Sequence, residues 1–259
     1  MEFKDLAANG LALLALAFSI YATFKAERNS RDERKRTIRG QLTDVLGKLT
    51  SLNIDGAKLA HEARGDKGYA ELIGGALSQQ NGFLLDQADF LSEQIPSLVT
   101  TYEFNTIALA CVNAGDTIRA EKYHRRAVAV APPGLYKSQA TRSYASFLFG
   151  QGRAKEGREH FRLALKLMKG EDNLARWTNG TTYQWWARCE LQFARTPDVA
   201  REYVDCARKE FSAIDIDFVR NNALASLDGD KFLPPSQSPV TPPVMPSVDP
   251  RAPGPSGWA

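Results

Sequence analysis

Beyond residue 68 the chain reads as one amphipathic helical segment after another. Short breaks fall at Gly82, Pro96, Gly115, Pro132 to Gly134, Gly152, Gly170 and Pro197, and no strand-like alternation competes. Each short helix must cover its apolar stripe with a neighbour, so the fold class is all-α and the architecture is either a bundle or a solenoid. Self-similarity between segments decides which. With 43% hydrophobic and 24% charged residues in 259, wholesale disorder, collagen and a disulfide miniprotein are excluded. Cys111, Cys189 and Cys206 are far apart and show no CxxC spacing, which fits a reducing compartment and suggests neither a disulfide framework nor a zinc site.

The amino-terminal end differs in kind. Leu6 to Phe24 are nineteen residues without a charge, and as a helix they reach about 28 Å, close to the hydrocarbon thickness of a bilayer. Their large apolar side chains contribute about −2 to −5 kcal/mol toward insertion. The next block, 25 to 39, has seven bases (Lys25, Arg28, Arg31, Arg34, Lys35, Arg36, Arg39) against three acids. A cleaved signal peptide has its bases before the apolar stretch, not after it, so the expectation is a retained transmembrane helix at 6–24 behind a short extracytoplasmic end at 1–5. The bases Lys25, Arg28, Arg31, Arg34, Lys35, Arg36 and Arg39 set the carboxy-terminal body on the cytoplasmic side; they are either a solvated helix face that only sets topology or, in addition, a patch for anionic lipid headgroups. The expected address is a single-pass membrane protein of the bacterial inner membrane, with the mitochondrial outer membrane as the alternative. Ile38, Leu42, Val45, Leu49, Leu52, Leu59 and Ala63 then form one stripe of a juxtamembrane amphipathic helix over 25–66. That stripe either docks on the next domain or self-associates as a stalk. Net charge is +3, from 33 basic and 30 acidic residues, and everything beyond residue 39 is balanced. No nucleic-acid partner is therefore expected.

Residues 101–134 carry the clearest pattern. Phe104, Ile107, Ala108 and Cys111 fall on one helix face, Gly115 closes a turn, Ala120 and Ala127 are small residues on a second helix, and Pro132 comes after it. Residues 138–171 repeat this with Thr141, Tyr144, Ala145 and Leu148, then Gly152, then Phe161 and Ala164, although Gly157 stands where alanine is expected. A looser copy over 179–212 has Tyr183, Trp186 and Ala187, a turn at Thr196-Pro197 with one extra residue, and then Ala200, Val204 and Ala207. Residues 69 to 96 suggest a further helical pair ending at Pro96. The alanines let paired helices approach, glycine ends the first helix and proline stops the second. The pattern closely resembles the tetratricopeptide repeat, with His124 in place of a family aromatic. The resemblance implies a right-handed array of helical hairpins over 67–232.

It also implies a binding surface on the first helices that holds an extended peptide or a partner helix. Carried onto this sequence, that surface presents Tyr102, Asn105, Leu109, Asn113, Gln139, Arg142, Ser146, Gln184 and Arg188. Asn and Arg there can bind a peptide backbone or a carboxylate. Of the adjacent Trp185 and Trp186, only one can face the core, and the other is a candidate anchor. Catalytic motifs are missing: His61-Glu62 lacks the second histidine of HExxH, no phosphate loop or GxSxG elbow occurs, and His124 and His160 fall among packing residues. The carboxylates Asp215 and Asp217 suit a helix start. No cofactor, metal or enzyme activity is expected.

Nine of the thirteen prolines lie in the last 26 residues, so 233–259 reads as a disordered tail with PxxP spacings. The expected function is that of a membrane-anchored, non-catalytic adaptor or scaffold for a protein or peptide partner, with homo-oligomers possible. An oligomerising membrane effector with a repeat sensor, or an organelle import receptor, is the alternative.

Overall fold

The computed structural model describes residues 3–62 and 67–229; the side chains of 3–20, 53, 57, 60, 61, 67, 69–72, 228 and 229 lie outside it. The tail at 233–259, the first two residues and residues 63–66 also fall outside the described residues. Among those described there are nine α-helices and no strand: α1 (Phe3–Glu62), α2 (Lys67–Gln94), α3 (Thr101–Asn113), α4 (Thr117–Val130), α5 (Leu135–Gly150), α6 (Ala154–Leu167), α7 (Asn173–Cys189), α8 (Pro197–Ser212) and α9 (Asp217–Gly229).

Helices pair in chain order, α1 with α2, α3 with α4, α5 with α6 and α7 with α8, and the first helices of successive hairpins touch one another. The turns fall where the punctuation places them. Gly115 and Gly152 take φ of 75° and 74° at corresponding points of two hairpins, a conformation that costs a side-chain-bearing residue but not glycine. Thr100 opens α3 with a capping box to Glu103, and Pro197 opens α8. Thr196 does not cap α8; its hydroxyl donates to Glu190 Oε2 at 2.7 Å instead. The small residues Ala120, Ala127, Ala164, Ala200 and Ala207 are buried between paired helices. At Gly157 a Cβ would lie 2.4 Å from Phe149 Cδ2, so glycine in place of the expected alanine leaves room for a phenylalanine ring.

Two expectations about the first hairpin are resolved by the packing. Gly82 does not break the chain: α2 runs straight through it, and residues 69 to 94 belong to one helix paired with α1 rather than to a helical pair of their own. A helical glycine costs only about 1 kcal/mol, and burial of Leu84, Leu85 and Ala88 just beyond it offsets that. The stripe of α1 docks. Ile38, Leu42, Val45 and Leu49 enter one buried cluster with Leu85 and Phe104, and Arg39 Nη1 lies 2.6 Å from Glu103 Oε2.

The membrane expectation is overturned. Among the described residues no helix is long and apolar enough to cross a membrane. This corrects the single-pass address, with its extracytoplasmic end, cytoplasmic body and organelle assignment. Of the expected span 6–24, only Tyr21 to Phe24 have described side chains. Their helix continues unbroken into the charged block at 25–39, and every residue from Tyr21 to Thr37 is exposed.

A seam of charge joins the first two hairpins. Asp86, Asp89 and Glu93 on α2 have the same spacing as Arg119, Lys122 and Arg126 on α4, and the rows meet at 2.6 Å, 3.0 Å and 2.7 Å. The Arg126 hydrogen bond, backed by Lys122, pulls the Glu93 carboxyl down to about 2. Exposed pairs of this kind are individually weak, but the shared spacing fixes how one hairpin lies on the next.

Candidate functional site

Where α3, α5 and α7 lie side by side, a cavity of about 480 Å³ opens, within the range of small-ligand sites. α3 contributes Leu109 and Val112, and α5 contributes Arg142, Ser143, Ser146 and Phe147. α7 adds Trp185, Arg188 and Cys189. His124 enters from α4, so a second helix also contributes to a surface expected of first helices alone. No carboxylate lines the cavity. Its character is apolar with two guanidinium groups.

The far wall depends on an irregularity. After Cys189 the chain makes a π-helical turn, Glu190–Ala194, and leaves it at Arg195 with φ 55°. A π turn takes in an extra residue and rotates the chain beyond it, in keeping with the one extra residue between α7 and α8, and Gln192 and Phe193 line the cavity. Glu190 holds the turn. Its side chain is fully buried, accepts from Arg158 Nε and Nη2 at 2.7 Å each, from Trp186 Nε1 at 3.0 Å and from Thr196 Oγ1 at 2.7 Å. Burial alone raises a carboxyl pKa, but these donors outweigh it and hold Glu190 below its ordinary value.

Arg142 is in the opposite position. It is half-buried, and its one hydrogen bond, from Nη1 to Thr182 Oγ1, is long at 3.5 Å. Desolvation pushes its guanidinium down to about 10, with no anion opposing the shift. Arg188 differs, lying 5.3 Å over the Trp185 ring. Trp185 remains 42% exposed while Trp186 is 2% exposed, so the adjacent pair divides between cavity and core.

His124 is 1% exposed, and neither ring nitrogen has a hydrogen-bond partner. It packs 5.1 Å from Phe147 and 6.0 Å from Tyr144, between ring centroids. Burial pushes its pKa down to about 4, against a smaller pull from Glu121, so the ring is neutral at neutral pH. Burial also pushes the Cys189 thiol up to about 11, which leaves it protonated and a poor nucleophile. Among the described residues no three His, Cys, Asp or Glu side chains gather as metal ligands.

Of the nine residues expected on the binding surface, Leu109, Arg142, Ser146 and Arg188 line the cavity. Tyr102 and Gln139 bind each other instead, Oη donating to Oε1 at 3.2 Å, and Asn105 is half-buried outside the lining. Asn113 faces a separate space between α1, α2 and α3. Gln184 is covered by α9, where its Nε2 donates to the Ser226 carbonyl at 3.4 Å. Ser143 and Phe147 were findable, since they share the helix face of Arg142 and Ser146. Phe193 and Gln192 were not, because an uninterrupted helix points them elsewhere. Of the basic block, Lys25, Arg28, Arg31, Arg34, Lys35 and Arg36 lie on the exposed arm of α1, Arg31 against Glu27, whereas Arg39 is committed to Glu103.

Compared with known proteins, the chain matches no family model and no curated protein.

Proposed function

We propose that the chain is a non-catalytic adaptor whose helical hairpins, of the tetratricopeptide type, bind a protein or peptide segment along the face of α3, α5 and α7. The observation that carries this is the cavity on that face, where exposed Trp185 and Phe193 stand beside Leu109 and two arginines. Aromatic and arginine side chains in a concave, partly desolvated setting are the usual anchors of protein recognition. The repeat assignment draws support from the matched turn glycines 115 and 152 and from the buried small residues of α4, α6 and α8.

Selection from a random dodecapeptide library tests it. Selected peptides should lose at least about tenfold in affinity on Trp185→Ala, the cost of one anchor residue, and none on Lys155→Ala, which alters an exposed residue of α6. Failure to enrich any peptide, or equal binding by both variants, overturns the adaptor assignment.

A further inference from the structure

Two polar groups facing the cavity lack what the protein elsewhere supplies. Other arginines packed between helices meet carboxylates: Arg119 meets Asp86, Arg126 meets Glu93, Arg153 meets Glu121 and Arg158 meets Glu190, all within 2.8 Å. Arg142 has only the long contact to Thr182. His124, fully enclosed, has a donor and an acceptor nitrogen and no partner for either. Leaving a buried polar group unpaired costs about 1–3 kcal/mol, and more for a charge. Both residues line one space, and no acid of the protein's own lines it with them. An anion entering there gains a charge-assisted hydrogen bond from Arg142.

The rest of the cavity selects the body that carries the anion. Leu109, Phe147, Trp185 and Phe193 make its walls apolar and largely aromatic, suited to a flat ring system. Its volume, about 480 Å³, suits a compact molecule. We infer that the cavity is a binding site for a small aromatic carboxylic acid, its carboxylate on Arg142 beside His124 and its ring between Trp185 and Phe193. This site does not depend on the adaptor function, since a free acid needs no peptide chain to enter it.

The test is calorimetric titration of the full chain with naphthalene-2-carboxylate and with its neutral isostere naphthalene-2-carboxamide. The acid should bind at least about tenfold more tightly, the lower end for a hydrogen bond to a charged group. Arg142→Met should bring the two ligands to equal affinity. Phe193→Ala should weaken both alike. Circular dichroism establishes that each variant is folded, and Phe193→Ala, at an exposed position, keeps the test open should the arginine variant not fold. Equal binding of acid and amide by the wild type, no binding of either, or an acid preference that survives Arg142→Met overturns the site. A third arm uses a peptide ending in tryptophan as free acid or amide. Acid-dependent binding of that peptide, with none of the naphthoate, reassigns the anion to a chain terminus and overturns the small-molecule site.

Discussion

Glu190 and Arg142 are both charged side chains drawn away from water, one at the end of α7 and the other on α5, and they are treated in opposite ways. Glu190 receives four hydrogen bonds, two from an arginine, and in return holds the π turn that ends α7. Arg142 receives no anion and shows the desolvation directly in its lowered pKa. A compensated buried charge specifies architecture, because removing a partner exposes the cost of the other. An uncompensated one beside an open cavity stabilises nothing in the free protein and becomes favourable only when something arrives.

That contrast breaks first, and by the largest amount, at Glu190. Glu190→Ala strips Arg158, Trp186 and Thr196 of their acceptor and should cost about 3 kcal/mol or more. Urea unfolding monitored by circular dichroism measures it, and a loss below about 1 kcal/mol, the net worth of a single ordinary hydrogen bond, would mean that the π turn holds without its carboxylate.

The next effect comes from His124. Its ring has a pKa near 6.5 when free and about 4 in the fold. Above pH 6.5 it contributes nothing to the pH dependence. Between 6.5 and 4 the unfolded chain takes up a proton that the folded chain refuses, so stability falls as the pH drops, by about 3 kcal/mol in all, and levels off below 4. His124→Phe removes that decline while the carboxylates, led by Glu93 with its pKa of about 2, lose their contribution only at lower pH. Stability curves for wild type and variant that run parallel from pH 6.5 to 4 would contradict a buried neutral imidazole.

A smaller change is expected at Gly180, where a Cβ would lie 2.3 Å from Phe211 Cε1. Gly180→Ala forces the ring of α8 away from α7 and should cost about 2 kcal/mol through overpacking. Pairing it with Phe211→Leu in a double-mutant cycle should return most of that loss, and strict additivity would place the strain elsewhere.

The smallest effect has the opposite sign. Arg142→Met removes a desolvated charge that no protein group neutralises and should leave stability unchanged or raise it by up to about 1 kcal/mol in the absence of ligand. Thermal unfolding reads this directly. A clear drop in the midpoint would mean that Arg142 holds the fold and would erase its difference from Glu190.

Much of this arrangement is legible in residue order, and the misses are instructive. Gly115, Gly152 and Pro197 mark turns because backbone preference is local and hardly depends on what packs nearby. Leu109, Arg142, Ser146 and Arg188 are placed on the binding face by the tetratricopeptide resemblance, and they line the cavity, whereas the other five residues it implies do not. Gly82 misled, since a glycine in a helix is a modest penalty that neighbouring leucines override. The apolar run at 6–24 suggests a membrane span from local composition, but among the described residues no helix is long and apolar enough to cross a membrane.

Residue order by itself determined the all-helical class, the pairing of helices through short turns and the small residues between them, and the resemblance it carries pointed to the two arginines of the cavity. These depend on interactions only a few residues apart. The tertiary structure decided the rest: Arg158, 32 residues before Glu190, draws that carboxylate into the core and turns Phe193 into the cavity, and α9 covers Gln184. Whether a polar side chain finds a partner is settled by segments distant in the chain, so only the packed molecule reveals that Arg142 meets no anion and His124 no hydrogen-bond partner of the protein's own.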